Sequence, residues 1–312
     1  MTQIIIHIGA PRTGTTTLQA HLFKYVRKYI VLTKRPYAGS IETTNPGKST
    51  GSISPNELIR LLSSIEETEE CITKNTFFAN AIIHPSLYCA HNPTINNNKK
   101  LYEPLLKEAL TKAITSAGKT DKNIFISSER LSDTGASLLC YSTHNQFDWL
   151  FPAFPLCDIT KEINSQQPLI SACLRSPVSY LKSKYMRTFA QRRTMRGERD
   201  LSPTEYIQKQ CTLETNHPGT SALTPAMHAE FIKQLQKHAF VKAFGFQELL
   251  ASDDVFSLMG LQGEEKYAFR DFPRENKLPF SKEQEQTIEI EITQALNQYS
   301  FYDRIMKSQM FE

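Results

Sequence analysis

The sequence predicts an α/β protein, a mostly parallel β-sheet flanked by helices with helical insertions, formed by one domain over residues 1–312. Three observations predict it. Strand-like runs alternate with helix-like stretches, the pattern of a parallel sheet covered by helices. The first run, QIIIHI over 3–8, leads straight into Gly9, a short loop and the helix-like TTTL segment that starts at Thr15. Finally, 312 residues with 40% hydrophobic and 22% charged content suffice to bury a sizeable core without metals or disulfides.

Taken in order, the expected strands are 3–8, 78–83 (FANAII), 123–127 (NIFIS), 169–174 (LISACL) and 240–244 (FVKAF). Three helices announce their starts. Ser54-Pro55-Asn56-Glu57 and Ser202-Pro203-Thr204-Glu205 each combine an N-cap serine, proline at the first helical position and a glutamate three residues on. Ser281 with Gln284 repeats the capping-box spacing. The polar stretches 38–54, 91–100 and 214–225 read as loops, none long enough for a domain linker, and no internal repeat is present.

Composition narrows the function classes. No apolar run approaches the roughly 20 residues that span a bilayer. The first residues lack a basic n-region and a cleavage site, and a cleaved leader would remove the glycine loop, so a cytoplasmic protein is expected. The net charge of +4 suits an anionic ligand, and no nucleic-acid-binding signature accompanies it. The six cysteines form no CxxC pair and no zinc spacing, so reduced, buried thiols are expected.

The segment HIGAPRTGTTTLQ carries the chemistry. A strand, a glycine turn and a helix start gather backbone N–H groups and a positive helix end around one point, which favours an anion. A triphosphate loop of the GxxxxGK[ST] type needs lysine after its second glycine. Here Thr15 follows Gly14, and the cation is Arg12, two residues before that glycine. Thr13, Thr15 and Thr16 add hydroxyl donors, and Arg12 can fork onto anionic oxygens. The bland alternative is that Gly9 and Gly14 only shape a strand-to-helix turn.

The loop resembles the phosphosulfate-binding loop of sulfotransferases that use 3′-phosphoadenosine 5′-phosphosulfate (PAPS), whose core reads P-K-S-G-T-T. Pro11, Arg12, Thr13, Gly14, Thr15 and Thr16 match it in order, with arginine for lysine and threonine for serine. The resemblance implies that Arg12 stabilises charge on the departing phosphate oxygen. A second stretch, LISACLRSPVSYLKSKYMR over 169–187, ends a strand at Leu174, follows it with Arg175, and carries Ser183 eight residues later on a helix. It resembles the family's 3′-phosphate element, an arginine and a serine at that spacing. The alternative is an arginine in a surface ion pair and an exposed helix serine. Residues 240–263 look like the family's strand, acidic turn and short helix, with Phe246-Gln247-Glu248-Leu249 in place of Y-E-D-L. Arg274, Asn276 and Lys277 occupy the region where family members place a basic loop over the nucleotide, with a plain solvated loop as the alternative.

Sulfuryl transfer to a hydroxyl needs a base. Glu129, in the SSER segment just past strand 123–127, is the candidate, because glycan-modifying family members use glutamate there. An ion pair with Arg130 or Arg175 is the structural alternative for it, and His84 and His144 are alternative bases. His7, inside a strand, reads as a core residue. The cation-rich stretch 182–200, with Lys184, Arg187, Arg192, Arg193, Arg196 and Arg199, suits either an anionic acceptor or plain solvation. The implied activity is transfer from PAPS, leaving 3′-phosphoadenosine 5′-phosphate (PAP), to a hydroxyl acceptor such as a glycan or glycolipid, with no metal. A degenerate nucleotide kinase or NTPase, or a catalytically silent nucleotide-binding protein, stands as the alternative.

Overall fold

The computed structural model describes residues 2–9, 26–33, 55–83, 99–128, 153–195, 201–216, 221–223, 226–245 and 280–307. Five strands, β1 (Ile4–Gly9), β2 (Tyr29–Thr33), β3 (Asn123–Ser127), β4 (Leu169–Leu174) and β5 (Phe240–Gly245), form one sheet in the order β2-β3-β1-β4-β5. Every neighbouring pair is parallel. Parallel neighbours cannot be joined by a hairpin, so helical crossovers must separate them. The described helices are α1 (Pro55–Ser63), α2 (Glu69–Lys74), α3 (Thr76–Ile83), α4 (Lys99–Lys119), α5 (Ala153–Asn164), α6 (Pro177–Met195), α7 (Pro203–Asn216), α8 (His228–Leu235), α9 (Lys282–Leu296) and α10 (Phe301–Lys307). None is long and apolar enough to cross a membrane.

The expected starts hold where local chemistry sets them. At α7 the Glu205 amide donates to Ser202 Oγ (3.2 Å) and the Ser202 amide donates to Glu205 Oε2 (2.8 Å), a reciprocal cap of two otherwise unsatisfied N–H groups. Ser281 and Gln284 make the same pair at α9. α1 begins at Pro55 as expected.

Three expectations are corrected. Residues 78–83 are helical, not a strand: Asn75 Oδ1 accepts from the Phe78 amide (3.2 Å), and α3 follows. A short apolar run buried all round reads the same way in both periodicities, and the N-cap decides it. The unlisted run YIVLT at 29–33 is the missing strand, β2, buried along its whole length at the sheet edge. Of the loops expected at 91–100 and 214–225, Lys99 and Lys100 instead open α4 and 214–216 end α7, while 91–98, 217–220 and 224–225 lie outside the described residues. The stretch 38–54 lies outside the described residues, as do Cys89 and Cys140, while Cys71, Cys157 and Cys211 are free thiols and Cys157, Cys173 and Cys211 are buried.

Alternation along the strands divides the sheet into two unlike faces. Ile4, Ile6 and Ile8 of β1, Ile30 and Leu32 of β2, Ile124 and Ile126 of β3, and Ile170, Ala172 and Leu174 of β4 share one face and join the main core with residues from α1 to α5 and α8. A second core, which contains no strand among the described residues, joins α6, α7, Ala222, Leu223, Ala226, Met227, α9 and α10. Lys112 of α4 is buried, yet its ammonium donates to the Ser63 and Ile65 carbonyls (2.9 and 2.6 Å) and so satisfies the open end of α1.

Phe78, fully enclosed in the main core, should be far more costly to truncate than Phe240, which is 65% exposed at the start of the edge strand β5. Denaturant unfolding should show Phe78→Ala losing about 3–5 kcal/mol and Phe240→Ala staying within about 0.5 kcal/mol of wild type.

Candidate functional site

In an open parallel sheet, ligands bind beyond the carboxyl ends of the strands where the connections diverge. Here the chain leaves β1 toward the β2 edge and leaves β4 toward the β5 edge, so the divergence lies between β1 and β4. Gly9, the last residue of β1, pairs with Cys173, two residues before Arg175. On the other side of β1, the Ser128 amide donates to the His7 carbonyl (3.2 Å), which brings the end of β3 to the same edge. Gly9, Ser128 and Leu174 therefore lie side by side at this edge of the sheet.

The second face of the sheet changes character toward this edge. Its middle layer is apolar, with Ile5 and Phe125 fully buried. The next layer is a polar row in which Thr33 pairs with Ser127, Ser127 with His7, and His7 with Ser171. All four are buried, and His7 Nδ1 lies 3.3 Å from Ser171 Oγ, while the imidazole stacks on Phe125 at 6.1 Å between ring centres. Beyond that row, among the described residues, come Gly9, Cys173 and the buried Phe244, which pairs with Cys173.

Arg175 is half-buried immediately after β4. Its carbonyl accepts a hydrogen bond from Nε2 of His228, at the start of α8, at 2.9 Å. Ser183 lies on α6, about 9 Å along the axis from Pro177, and is 7% exposed, so the exposed-serine alternative does not apply to it. α6 is itself fixed on its far side, where Lys182 pairs with Glu289 of α9 and the Tyr185 hydroxyl donates to the Leu201 carbonyl (2.8 Å).

Of the residues expected at the site, the structure brings Arg175 and Ser183 onto one strand–helix unit beside the end of β1. Arg12, Thr13, Gly14, Thr15, Thr16 and Glu129 lie outside the described residues, as do His84, His144, Phe246 to Leu249, Arg274, Asn276 and Lys277. Lys184, Arg187, Arg192 and Arg193 fall on α6, and Arg196 and Arg199 lie outside the described residues. Sequence reading missed His228 and the polar row. Ser127 and Ser171 did interrupt otherwise apolar strands on the same face as His7, which was a legible signal. His228 had none, since its partner is 53 residues away.

His7 and His228 are both held neutral, because burial pushes each imidazole from 6.5 down to about 4 despite the hydrogen bond that works the other way. The unfolded chain therefore takes up protons at both positions between about pH 6.5 and pH 4, where the folded chain does not. Stability is complete above that window and falls as pH drops through it, by on the order of 3 kcal/mol per histidine. Denaturant midpoints measured from pH 7 to pH 4.5 should fall steadily, and His7→Gln should remove about half of that dependence.

No protein-family model, no curated protein and no solved structure matches the chain.

Proposed function

We propose that this chain is a sulfotransferase, moving a sulfuryl group from PAPS to a hydroxyl of a carbohydrate or glycolipid without a metal ion. The observation that carries the reading is the register of β1 against β4, which sets Gly9 opposite Cys173. One rigid sheet then ties the loop that resembles a phosphosulfate site to the Arg175 turn that resembles a 3′-phosphate site. A nucleotide with phosphates at both ends of its ribose needs two anion sites held apart in this way. A cytoplasmic setting, in which the free thiols stay reduced, goes with it.

In this reading, Arg12, Thr13, Gly14, Thr15 and Thr16 hold the 5′-phosphosulfate, and Arg175 and Ser183 hold the 3′-phosphate. The acceptor oxygen attacks sulfur as the bond from sulfur to the bridging phosphate oxygen breaks. Its proton passes to the Glu129 carboxylate, with His84 or His144 as the other candidate bases. Arg12 carries the charge that collects on the leaving oxygen, as a preorganised guanidinium does without reorganising at the moment of reaction. PAP leaves.

Calorimetric titration in EDTA should show PAP binding, weakened about tenfold to a hundredfold in Arg175→Ala, the cost of one charge-assisted hydrogen-bonded pair. Glu129→Gln should retain PAP affinity and lower sulfuryl transfer by about 10²- to 10⁴-fold, the usual contribution of a positioned base. Binding of ATP with magnesium, and not of PAP, would replace the reading with the nucleotide-kinase alternative. PAP binding with no transfer to lose in Glu129→Gln would mark a silent nucleotide-binding protein.

A further inference from the structure

Arg175 is the first residue past the sheet ladder, whose last pair at this strand is Leu174 with Gly245. From there on, hydrogen bonds of the sheet no longer set its backbone. The Arg175 carbonyl instead takes the Nε2–H of His228 at 2.9 Å. A carbonyl only accepts, so this nitrogen carries the proton and the tautomer is fixed. His228 is 1% exposed. It adds no charge beside the guanidinium, being neutral.

A buried polar network that starts on α7 reaches Met227, the residue before His228. Gln210 Oε1 accepts from the Ala222 amide (2.8 Å), Glu214 accepts from the Ser221 hydroxyl, and Ser221 Oγ accepts from the Leu223 amide (3.0 Å). Gln210, Glu214 and Ser221 are all buried. The Leu223 carbonyl then takes the amides of Ala226 and Met227 (2.9 and 3.0 Å), and Met227 is the residue before α8. The chain of contacts runs from α7 through this turn to His228 and ends on the Arg175 backbone.

We infer that His228 is a positioning residue for the anion site: its hydrogen bond to the Arg175 carbonyl sets the backbone from which the Arg175 guanidinium meets the ribose 3′-phosphate. The inference rests on the sulfotransferase reading and adds to it that the second helical layer, not the sheet alone, fixes this half of the site. Truncating a buried polar partner acts through the group it positioned, so its effect should not add to removal of that group.

The test is calorimetric titration with PAP in EDTA of wild type, Arg175→Ala, His228→Leu, His228→Gln and the Arg175→Ala/His228→Leu double variant, each checked for a cooperative melting transition. His228→Leu should weaken binding about tenfold, and the double variant should bind within about twofold of Arg175→Ala. His228→Gln keeps an N–H at similar reach and should stay within about threefold of wild type. A histidine that only supports folding would lower the melting temperature and add its loss to that of Arg175→Ala, which overturns the inference. Wild-type affinity in His228→Leu also overturns it and leaves the donor reading standing. Absence of PAP binding in the wild type overturns the reading and the inference together. If His228→Leu does not fold, the histidine ¹⁵N resonances of the folded proteins decide: the His228 Nε2 signal should shift with PAP in wild type and stay in place in Arg175→Ala, and no shift in wild type overturns the inference.

Discussion

Parallel pairing is the constraint on which the rest of this structure depends. A strand that must lie parallel to its neighbour has to be re-entered from the same end, so the chain crosses back over a sheet face between strands, and helices occupy those crossings. All five carboxyl ends then lie on one edge. Because β1 is central and its neighbours β3 and β4 come much later in the chain, that edge collects segments separated by more than a hundred residues. Gly9, Ser128 and Arg175 meet there for a topological reason before any side chain is considered.

The side chains then make one face of the edge suitable for a polar ligand. Isoleucines and leucines dominate the face toward the main core, where nearly every contact is apolar. The other face passes from Ile5 and Phe125, through the row of Thr33, Ser127, His7 and Ser171, to Gly9, Cys173 and Phe244. A buried polar row is costly unless its members bond one another. The contact between His7 Nδ1 and Ser171 Oγ meets that condition for one pair of the row, and the imidazole, held neutral by burial, introduces no charge into the sheet.

How much of this was legible in the sequence depended on how local the deciding interaction was. β1, β3, β4 and β5 were readable as short β-prone runs, and the caps at Ser202 and Ser281 were readable because both partners lie within three residues. The helix at 76–83 was misread because its apolar run fits either period, although Asn75 stood in N-cap position. β2, the run YIVLT at 29–33, was overlooked although it is as long as β3. Arg175 and Ser183 were legible as a strand-end cation and a helix residue of one unit. His228 was not, because a hydrogen bond spanning 53 residues leaves no spacing to read.

The division of labour between the two cores follows from where α6 sits. It leaves the sheet at Arg175, so its first turn is anchored to β4, but its buried residues Tyr180, Leu181, Tyr185 and Met186 belong to the strandless core. The ion pair of Lys182 with Glu289 and the bond from Tyr185 to Leu201 tie the same helix to α9 and to the residues before α7. A shift of α7 or α9 would therefore move Ser183 relative to Gly9, whereas the sheet register would not change. The end of β1 is set by ladder hydrogen bonds, which tolerate little sliding because a one-residue slip would exchange the two faces. β4 is held by the ladder on both sides, but α6 beyond Arg175 is set by side-chain packing and polar links to the helical elements. Of the two halves of the candidate site, the one built on Arg175 and Ser183 is thus the half through which changes in the helical layer reach the ligand.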